Sequence, residues 1–321
     1  MVYSDTKVAL GSNCVITVST IETDVKFINK LFQQLWLKIF QFEQNFSRFL
    51  PDSQLTKFNA MAGIKQPISP EFRELLLACR KYAVMTRGIF NPFILPVLEN
   101  VGYDHSFLPG FEKDRYEKHS RAQLIDLKSL EIFDHEAFIP KNSAIDLGGL
   151  GKGFLADKLA NFLLGYKDKI MGFWISLGGD IHTYGLEESY KPWKIYIEKD
   201  LNDNLAYIES IKDQSLSIAT SGVNYRRGIK ENKNWHHIID PRTGLSAKTD
   251  LLSATVVGHS TIYCDVLASC LIIEVNKKNF KRKCQEYKIT DALIQGHFNN
   301  TIQEEYYFKT IGRRIKINKN D

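Results

Sequence analysis

The chain has 321 residues and a net charge of +5, with 44% hydrophobic and 25% charged residues, the composition of an ordinary globular protein. This composition argues against a disordered or fibrous protein, and without a basic stripe that carries interleaved aromatics no nucleic-acid partner is expected. Five cysteines without a CxxC pair argue against a zinc site or a disulfide framework, and no apolar run is long enough for a transmembrane segment.

The first half of the chain predicts one strand and two helices. Alternation over residues 8–19 indicates a strand. Apolar residues at helical spacing predict a helix over residues 24–46, whose aromatic stripe we assign to the core. A capping serine followed by proline starts a second helix at Ser69, which runs towards Gly88. Residues 100–140 are loop-rich and charged, with a short hairpin.

The second half predicts shorter elements. Helices are expected over residues 151–164, closed by Gly165, and over residues 262–275. Strands are expected over residues 143–147, 173–177, 193–197, 216–220, 236–239 and 254–257, with a last strand over 291–295. Helices mixed with antiparallel-looking strands predict an α+β fold, which we assign to a single domain over residues 1–321.

A glycine-rich segment, Asp146-Leu-Gly-Gly-Leu-Gly-Lys-Gly153, stands at a predicted strand-to-helix junction. Glycines there let the backbone approach a ligand, and the following helix offers free N–H groups to phosphate. The Walker pattern requires Ser or Thr after the Gly-Lys pair, and the spacing also departs from the Rossmann fingerprint. The segment therefore fits a phosphate-binding turn and a purely structural turn equally well.

Two further glycine motifs are weak by themselves. Ser176-Leu-Gly-Gly-Asp180 is more typical of a turn than of a site, and hydroxyls that flank a glycine, as in Thr220-Ser221-Gly222, are common after strands.

A histidine pair precedes a strong turn in His236-His237-Ile-Ile-Asp-Pro-Arg-Thr-Gly244. Histidine exchanges protons near neutral pH. Adjacent residues of a strand point to opposite faces, so both rings cannot easily ligate one metal ion. We expect one histidine to face a cleft and the other to face solvent or a hydrogen-bond partner.

Asp265 and Ser269 lie four residues apart on the predicted helix over residues 262–275, and therefore on one face of it. Their oxygen atoms suit Mg²⁺, which keeps several waters and takes its other ligands from substrate phosphates. The alternative is that Asp265 is only an acidic residue near the start of a helix.

In this order, the five motifs resemble the ApbE-like FAD:protein FMN transferase family. The segments Phe46-Ser-Arg-Phe-Leu-Pro-Asp-Ser-Gln-Leu-Thr-Lys-Phe-Asn59 and Gly88-Ile-Phe-Asn-Pro-Phe-Ile-Leu-Pro96 resemble its N-terminal half. The resemblance covers residues 8–295 and leaves a C-terminal strand and basic tail over 296–321.

The resemblance implies two intertwined α/β lobes with mixed, largely antiparallel sheets (T-fold-like) and FAD in the cleft between them. It implies an Mg²⁺-dependent transfer of FMN from FAD to a Thr or Ser hydroxyl of an acceptor flavoprotein, with release of AMP. An FAD pyrophosphatase that yields FMN and AMP, and a non-catalytic FAD-binding protein, are the alternatives.

The resemblance also implies residue roles. His237 would help the acceptor hydroxyl lose its proton, and Asp265 would serve catalysis through the metal. The metal ligands would be the side chains of Asp265 and Ser269 and the carbonyls of Gly149 and Ala268. FAD would contact Leu10, Phe49, Ile89, Phe90, Asn91, Asp146, Lys152 and Ile239.

Three positions depart from the family pattern: Ser269 replaces a threonine, Asn91 an aspartate and Phe49 a tyrosine. Each keeps enough of the original chemistry for the site, although the last two can change nucleotide affinity. No export signal is evident, so we expect a cytoplasmic protein from the chain as written, and a periplasmic or membrane-anchored one if a leader has been removed.

Overall fold

The computed structural model describes residues 1–103, 127–198, 204–230, 232–298, 301–308 and 315–317. The α-helices are α1 (Val25–Phe46), α2 (Gln54–Ala60), α3 (Pro70–Met85), α4 (Leu95–Val101), α5 (Gly151–Leu164), α6 (Thr261–Glu274) and α7 (Phe280–Glu286). The strands of the first two thirds are β1 (Val2–Ala9), β2 (Ser12–Thr20), β3 (Gln66–Pro67), β4 (Glu131–Ile132), β5 (Glu136–Phe138), β6 (Ile170–Leu177), β7 (Asp180–Gly185), β8 (Lys194–Glu198) and β9 (Asn204–Glu209). The remaining strands are β10 (Ser215–Gly222), β11 (Arg227–Lys230), β12 (Lys233–His236), β13 (Ile239–Asp240), β14 (Leu245–Ser246), β15 (Leu251–Gly258), β16 (Asp291–Phe298), β17 (Thr301–Phe308) and β18 (Ile315–Ile317).

An eight-stranded antiparallel sheet forms the centre of the fold, in the order β1-β2-β6-β7-β10-β15-β16-β17. Helices α5 and α6 pack together on strands β6, β7, β10 and β15, and α1 packs against α5. A small sheet of β18, β9 and β8 buries a second apolar cluster, which also contains Leu216 and Ile218 of the large sheet. The predicted α+β fold with largely antiparallel sheets is confirmed.

The helix signals in the sequence are confirmed. Asp24 caps α1, because its carboxylate accepts a hydrogen bond from the Lys26 N–H (2.9 Å), and the predicted apolar stripe of α1 is buried. Ser69 caps α3 in the same way, with Pro70 as the first helical residue. Helix α5 has the predicted bounds.

The single strand predicted over residues 8–19 is extended as expected but belongs to two strands, β1 and β2, because a hairpin turn divides the segment. Leu10 and Gly11 have positive φ angles of 54° and 69°, and Ala9 and Ser12 face each other across β1 and β2. Two left-handed residues are the geometry of a tight two-residue hairpin, and a leucine at the first of them hides the turn in the sequence.

The strand predicted over residues 143–147 is also absent. Its backbone bonds to other partners: the Asn59 side-chain amide pairs with both the N–H and the carbonyl of Ile145 (2.8 Å each), and the Asp146 N–H donates to the Pro92 carbonyl (2.8 Å). The segment is buried but irregular, because a side chain and a loop replace the neighbouring strand.

The strand predicted over residues 236–239 is divided between two hairpins. The His237 N–H still bonds to the β11 side at the Arg226 carbonyl (3.0 Å), whereas the Ile238 carbonyl accepts from the Ala247 N–H (2.9 Å). The chain changes pairing partner between these two residues, so β12 ends and β13 begins. The strand over 291–295 is found as β16, but it is not the last, because β17 and β18 follow.

The hairpin expected within residues 100–140 lies at β4 and β5, whereas residues 104–126 lie outside the described part of the chain. The basic residues Arg313, Arg314 and Lys319 of the C-terminal tail lie outside it as well. No α-helix in the described ranges is long and apolar enough to cross a membrane.

Candidate active site

One cavity of about 370 Å³ collects nearly all the residues that the sequence singled out. The predicted residues that line it are Leu10, Phe49, Ile89, Phe90, Asn91, Asp146, Gly149, Lys152, His237, Ile239, Asp265 and Ser269. The side chain of Ala268 belongs to the hydrophobic core and does not line the cavity. Segments more than 200 residues apart in sequence therefore share one surface.

The glycine-rich segment 146–153 packs tightly against α6. The Asp146 carboxylate accepts a hydrogen bond from the Gly148 N–H (2.6 Å), which closes the turn before α5. A Cβ atom at Gly153 would lie 2.6 Å from the Cα of Ile262, so only glycine permits this approach of the two helices. The Gly153 N–H points to the Asp265 carboxylate at 3.4 Å. The segment thus has a structural role and also faces the cavity.

The Gly178-Gly179 pair forms the hairpin turn between β6 and β7. Both glycines have positive φ, 64° and 95°, and the turn leaves Asp180 at the start of β7. Asp180 is buried and bonds to the Lys152 ammonium on the first turn of α5. The sequence singled out this motif but did not assign Asp180 to the site; the spacing of the two glycines before the acid was the available signal.

The buried Asp180 and Asp265 lie near the partly buried Lys152, and with Ser269 these residues make up what we call the carboxylate cluster. Burial alone would lower the pKa of Lys152, but the two carboxylates hold it above its ordinary value. Burial and the Asp180 charge raise the pKa of Asp265, and Lys152 opposes this rise only in part. Two acids therefore share one lysine, and Asp265 is the less well compensated.

The cluster offers oxygen donors that fit a hard divalent cation. Asp265 and Ser269 lie one turn apart on α6, and the Ser269 hydroxyl is 2.8 Å from the Ser221 hydroxyl of β10. In the described part of the chain, no three His, Cys, Asp or Glu side chains are grouped to hold a metal ion. A cation here would therefore take one carboxylate, a hydroxyl and carbonyls from the protein, and water or substrate oxygens for the rest, which suits Mg²⁺.

A second carboxylate, Asp157 of α5, ties α6 to its neighbour. It accepts hydrogen bonds from the Ser260 hydroxyl (2.8 Å), the Thr261 N–H (2.7 Å) and the Ile262 N–H (3.3 Å), and it lies 3.0 Å from Nδ1 of His182. Burial would raise the pKa of Asp157, but these hydrogen bonds hold it below its ordinary value. Asp157 thus anchors the first turn of α6, one turn before Asp265.

The histidine pair divides as the sequence predicts. His236 Nε2 lies 3.0 Å from the Ala247 carbonyl, whereas the half-buried ring of His237 lines the cavity beside Tyr103. Burial first, and then the charge of Arg226, lower the pKa of His237 to about 3. The imidazole is therefore neutral over the physiological range in this state.

The turn that follows holds itself in place. Arg242 makes two hydrogen bonds to the Asp240 carboxylate (2.8 Å each), and the Asp240 carbonyl accepts from the N–H groups of Thr243 and Gly244. These contacts fix the backbone just after Ile239, which lines the cavity. The turn over residues 240–244 therefore shapes the site and supplies no reactive group to it.

Two arginines that the sequence analysis left out of the site also line the cavity. The charge of Arg226 lowers the pKa values of Lys152, Asp265 and His237. Arg48 pairs with the Asp146 carboxylate (2.8 Å). Arg226 follows the Thr220-Ser221-Gly222 motif closely in the sequence. Nothing near Arg48 in the sequence indicated that it pairs with Asp146.

Comparison with known proteins adds to this geometry. The sequence profile of the ApbE family matches residues 10–293. The chain belongs to the ApbE family. A relative from Klebsiella pneumoniae, named FAD:protein FMN transferase, is 28% identical over 84% of this chain and 82% of its own length. One from Treponema pallidum with the same name is 25% identical over 91% and 84%.

Solved structures of other ApbE proteins share the fold. The apo flavinyl transferase ApbE of Pseudomonas stutzeri superposes with a TM-score of 0.79, at 20% identity over 95% of this chain and 94% of that one. The ApbE protein of Thermotoga maritima gives a TM-score of 0.80 at 22% identity, over 94% and 96%. At these identities the likeness shows the fold alone.

Proposed function

We propose that this chain is an enzyme that transfers FMN from FAD to a Thr or Ser hydroxyl of an acceptor flavoprotein in an Mg²⁺-dependent reaction. The acceptor oxygen attacks the phosphorus of the FMN half, the bond from that phosphorus to the bridging oxygen breaks, and AMP leaves with the bridging oxygen. The names of the relatives and the ApbE fold support this reaction.

The observation that carries the proposal is the convergence of five separate motifs on one cavity. Lys152, Asp180 and the Asp265–Ser269 pair come from three different motif segments, yet they lie together at the 146–153 turn. A cavity that holds a cation, buried acids and hydroxyls at a glycine turn suits a pyrophosphate substrate, because these groups can offset or organise its negative charge.

Mg²⁺, when bound, would neutralise charge on the pyrophosphate and help to hold it in position. Asp265 and Ser269 would hold the ion from the protein side, with the carbonyls of Gly149 and Ala268 as further donors. Lys152, kept protonated by the two carboxylates, supplies a fixed positive charge near the phosphates. The role of each residue is part of this proposal.

His237 would assist loss of the acceptor proton. With a pKa of about 3 in the substrate-free cavity, its imidazole binds a proton weakly. An anionic substrate in the same cavity would raise this pKa, since a nearby negative charge favours the protonated form. The residue would thus become an effective base only once FAD is in place.

The test is to incubate the protein with FAD, Mg²⁺ and a candidate acceptor protein, and then to examine the denatured acceptor. Flavin fluorescence on the acceptor band, with a mass increase that matches FMN, supports the transferase. Free FMN and AMP without labelled acceptor would instead indicate a pyrophosphatase. FAD binding that is indifferent to Mg²⁺, with no AMP released, would indicate a non-catalytic binding protein.

A further inference from the structure

Arg48 is a buried arginine at the cavity that the reaction above does not use. Its side chain is only 6% exposed, although arginine is rarely buried without full pairing. Its Nε donates to the Asp146 carboxylate (2.8 Å), and its Nη2 donates to the carbonyl of Tyr103 (3.0 Å). Two of its three nitrogens are therefore fixed by the protein.

The Arg48 guanidinium contacts two aromatic rings, those of Phe49 and Tyr103. Its central carbon lies 4.3 Å from the ring centroid of Phe49 and 4.5 Å from that of Tyr103. Rings at these distances stabilise a cation and restrict its movement. Arg48, Phe49 and Tyr103 all line the cavity. The residue is thus rigid, charged and placed where substrate binds.

The third nitrogen, Nη1, is buried and has no hydrogen-bond acceptor among the described residues. A buried N–H without a partner costs about 1–3 kcal/mol, and more on a charged group. Native proteins rarely leave such a group unsatisfied, so an unpaired donor at a cavity points to an acceptor that a ligand supplies.

The neighbouring Asp146 cannot easily supply this recognition itself. One of its oxygens accepts from Arg48 and the other from the Gly148 N–H (2.6 Å). Both oxygens are therefore engaged within the protein. The family resemblance gave Asp146 as one of several FAD contacts, but its hydrogen bonds suit it better to orient Arg48.

We propose that Arg48 is a substrate-recognition residue whose Nη1–H donates a hydrogen bond to a carbonyl oxygen or ring nitrogen of one of the two ring systems of FAD. Asp146 acts through it as a positioning residue. This inference rests on the proposed function only in taking FAD as the ligand, and it concerns binding, not the transfer step.

The test uses Arg48→Lys, which keeps the charge and a donor for Asp146 but lacks the forked second nitrogen. Arg73→Lys is the matched control, because Arg73, like Arg48, donates to one carbonyl and one carboxylate but does not line the cavity. Its Nε donates to the Phe133 carbonyl (2.9 Å) and its Nη2 to the Asp134 carboxylate (3.0 Å). The FAD dissociation constant is measured by flavin fluorescence, and FMN and AMP are titrated separately as displacers of FAD.

Arg48→Lys should weaken FAD binding by about 10- to 100-fold, the effect of one hydrogen bond from a charged donor. The loss should fall on FMN or on AMP, and the half affected identifies the ring system. Arg73→Lys should bind all three ligands like the wild type.

Two results would overturn the inference. Unchanged FAD affinity in Arg48→Lys would mean that Nη1 meets only water. An equal loss of affinity for FMN and AMP, together with a lower melting temperature, would mean a purely structural role. If the wild-type protein does not bind FAD at all, the proposed function fails instead, so the two failures are distinguishable.

Discussion

Two carboxylates on adjacent helices, Asp157 of α5 and Asp265 of α6, lie in environments that shift their pKa values in opposite directions. Asp157 is surrounded by donors from the first turn of α6 and by His182, and its pKa lies below the ordinary value. Asp265 is more deeply buried and its pKa is raised; within the described part of the chain it accepts one long hydrogen bond, from the Gly153 N–H (3.4 Å).

The difference separates a structural acid from a functional one. A buried carboxylate that the protein solvates with donors contributes to the stability of the fold. One that is buried beside another acid without enough donors costs stability, and such groups cluster at functional sites because a ligand completes them. On this basis Asp157 holds the site together and Asp265 serves the ligand.

The largest effect is expected from Asp265→Ala. Loss of the only carboxylate on the proposed metal-binding face of α6 should reduce single-turnover FMN transfer by at least about 100-fold, the size of effect seen when one electrostatic stabiliser of a transition state is removed. Much of the FAD affinity should remain, as measured by flavin fluorescence. Wild-type transfer rates in this variant would rule out its role as a metal ligand.

Asp157→Asn should act on stability more than on chemistry. The amide keeps the shape but replaces a charged acceptor at the start of α6, so the free energy of unfolding in urea should fall by about 2 kcal/mol. The transfer rate should fall less than in Asp265→Ala. A variant as stable as the wild type would show that α6 is held by its packing alone.

The same variant gives a pH dependence. The pKa of Asp157 is lower in the folded protein than in the unfolded chain, where it is about 3.9, so its carboxylate stabilises the fold above that pH. This contribution is lost as pH falls through the folded-state pKa. The stability difference between wild type and Asp157→Asn should therefore be constant from pH 7 to about 5 and shrink below about 4. A difference that persists undiminished at pH 3 would contradict the assignment.

His237→Ala should give the smallest effect on catalysis, about tenfold, because a base with so low a pKa gains strength only when substrate is bound. Transfer should slow more than FAD binding weakens, as a comparison of single-turnover rates with dissociation constants would show. Because bound FAD raises the pKa of His237, the FAD affinity of the wild type should fall as pH rises towards this raised pKa, and His237→Ala should lack this dependence. Equal losses in rate and affinity would mark His237 as a binding residue only.

The sequence predicted those parts of the fold whose signals are local. Helix α5 begins and ends as predicted because its apolar periodicity and closing glycine lie within the segment itself. The segment 143–147 was mistaken for a strand because its backbone bonds to Asn59, a partner 86 residues away. The turn that divides residues 8–19 into two strands was missed because a leucine occupies one of its two left-handed positions.

The same distinction between local signals and contacts of distant residues applies to the site. The position of Asp265 and Ser269 on one helix face could be read from their spacing, and the family resemblance joined them to the glycine turn. The pairing of Arg48 with Asp146 spans 98 positions of the sequence, and nothing local to either residue indicates it. The contrast between Asp157 and Asp265 depends on burial and donors, which only the folded chain provides.

The most direct test of this contrast is the melting temperature of the wild type, Asp157→Asn and Asp265→Ala, each with and without Mg²⁺ and FAD. We expect Asp265→Ala without ligands to melt no lower than the wild type, and Mg²⁺ with FAD to raise the melting temperature of the wild type and of Asp157→Asn well above that of Asp265→Ala. A ligand-free Asp265→Ala that melts well below the wild type, yet is stabilised by Mg²⁺ and FAD to the same extent, would contradict the account.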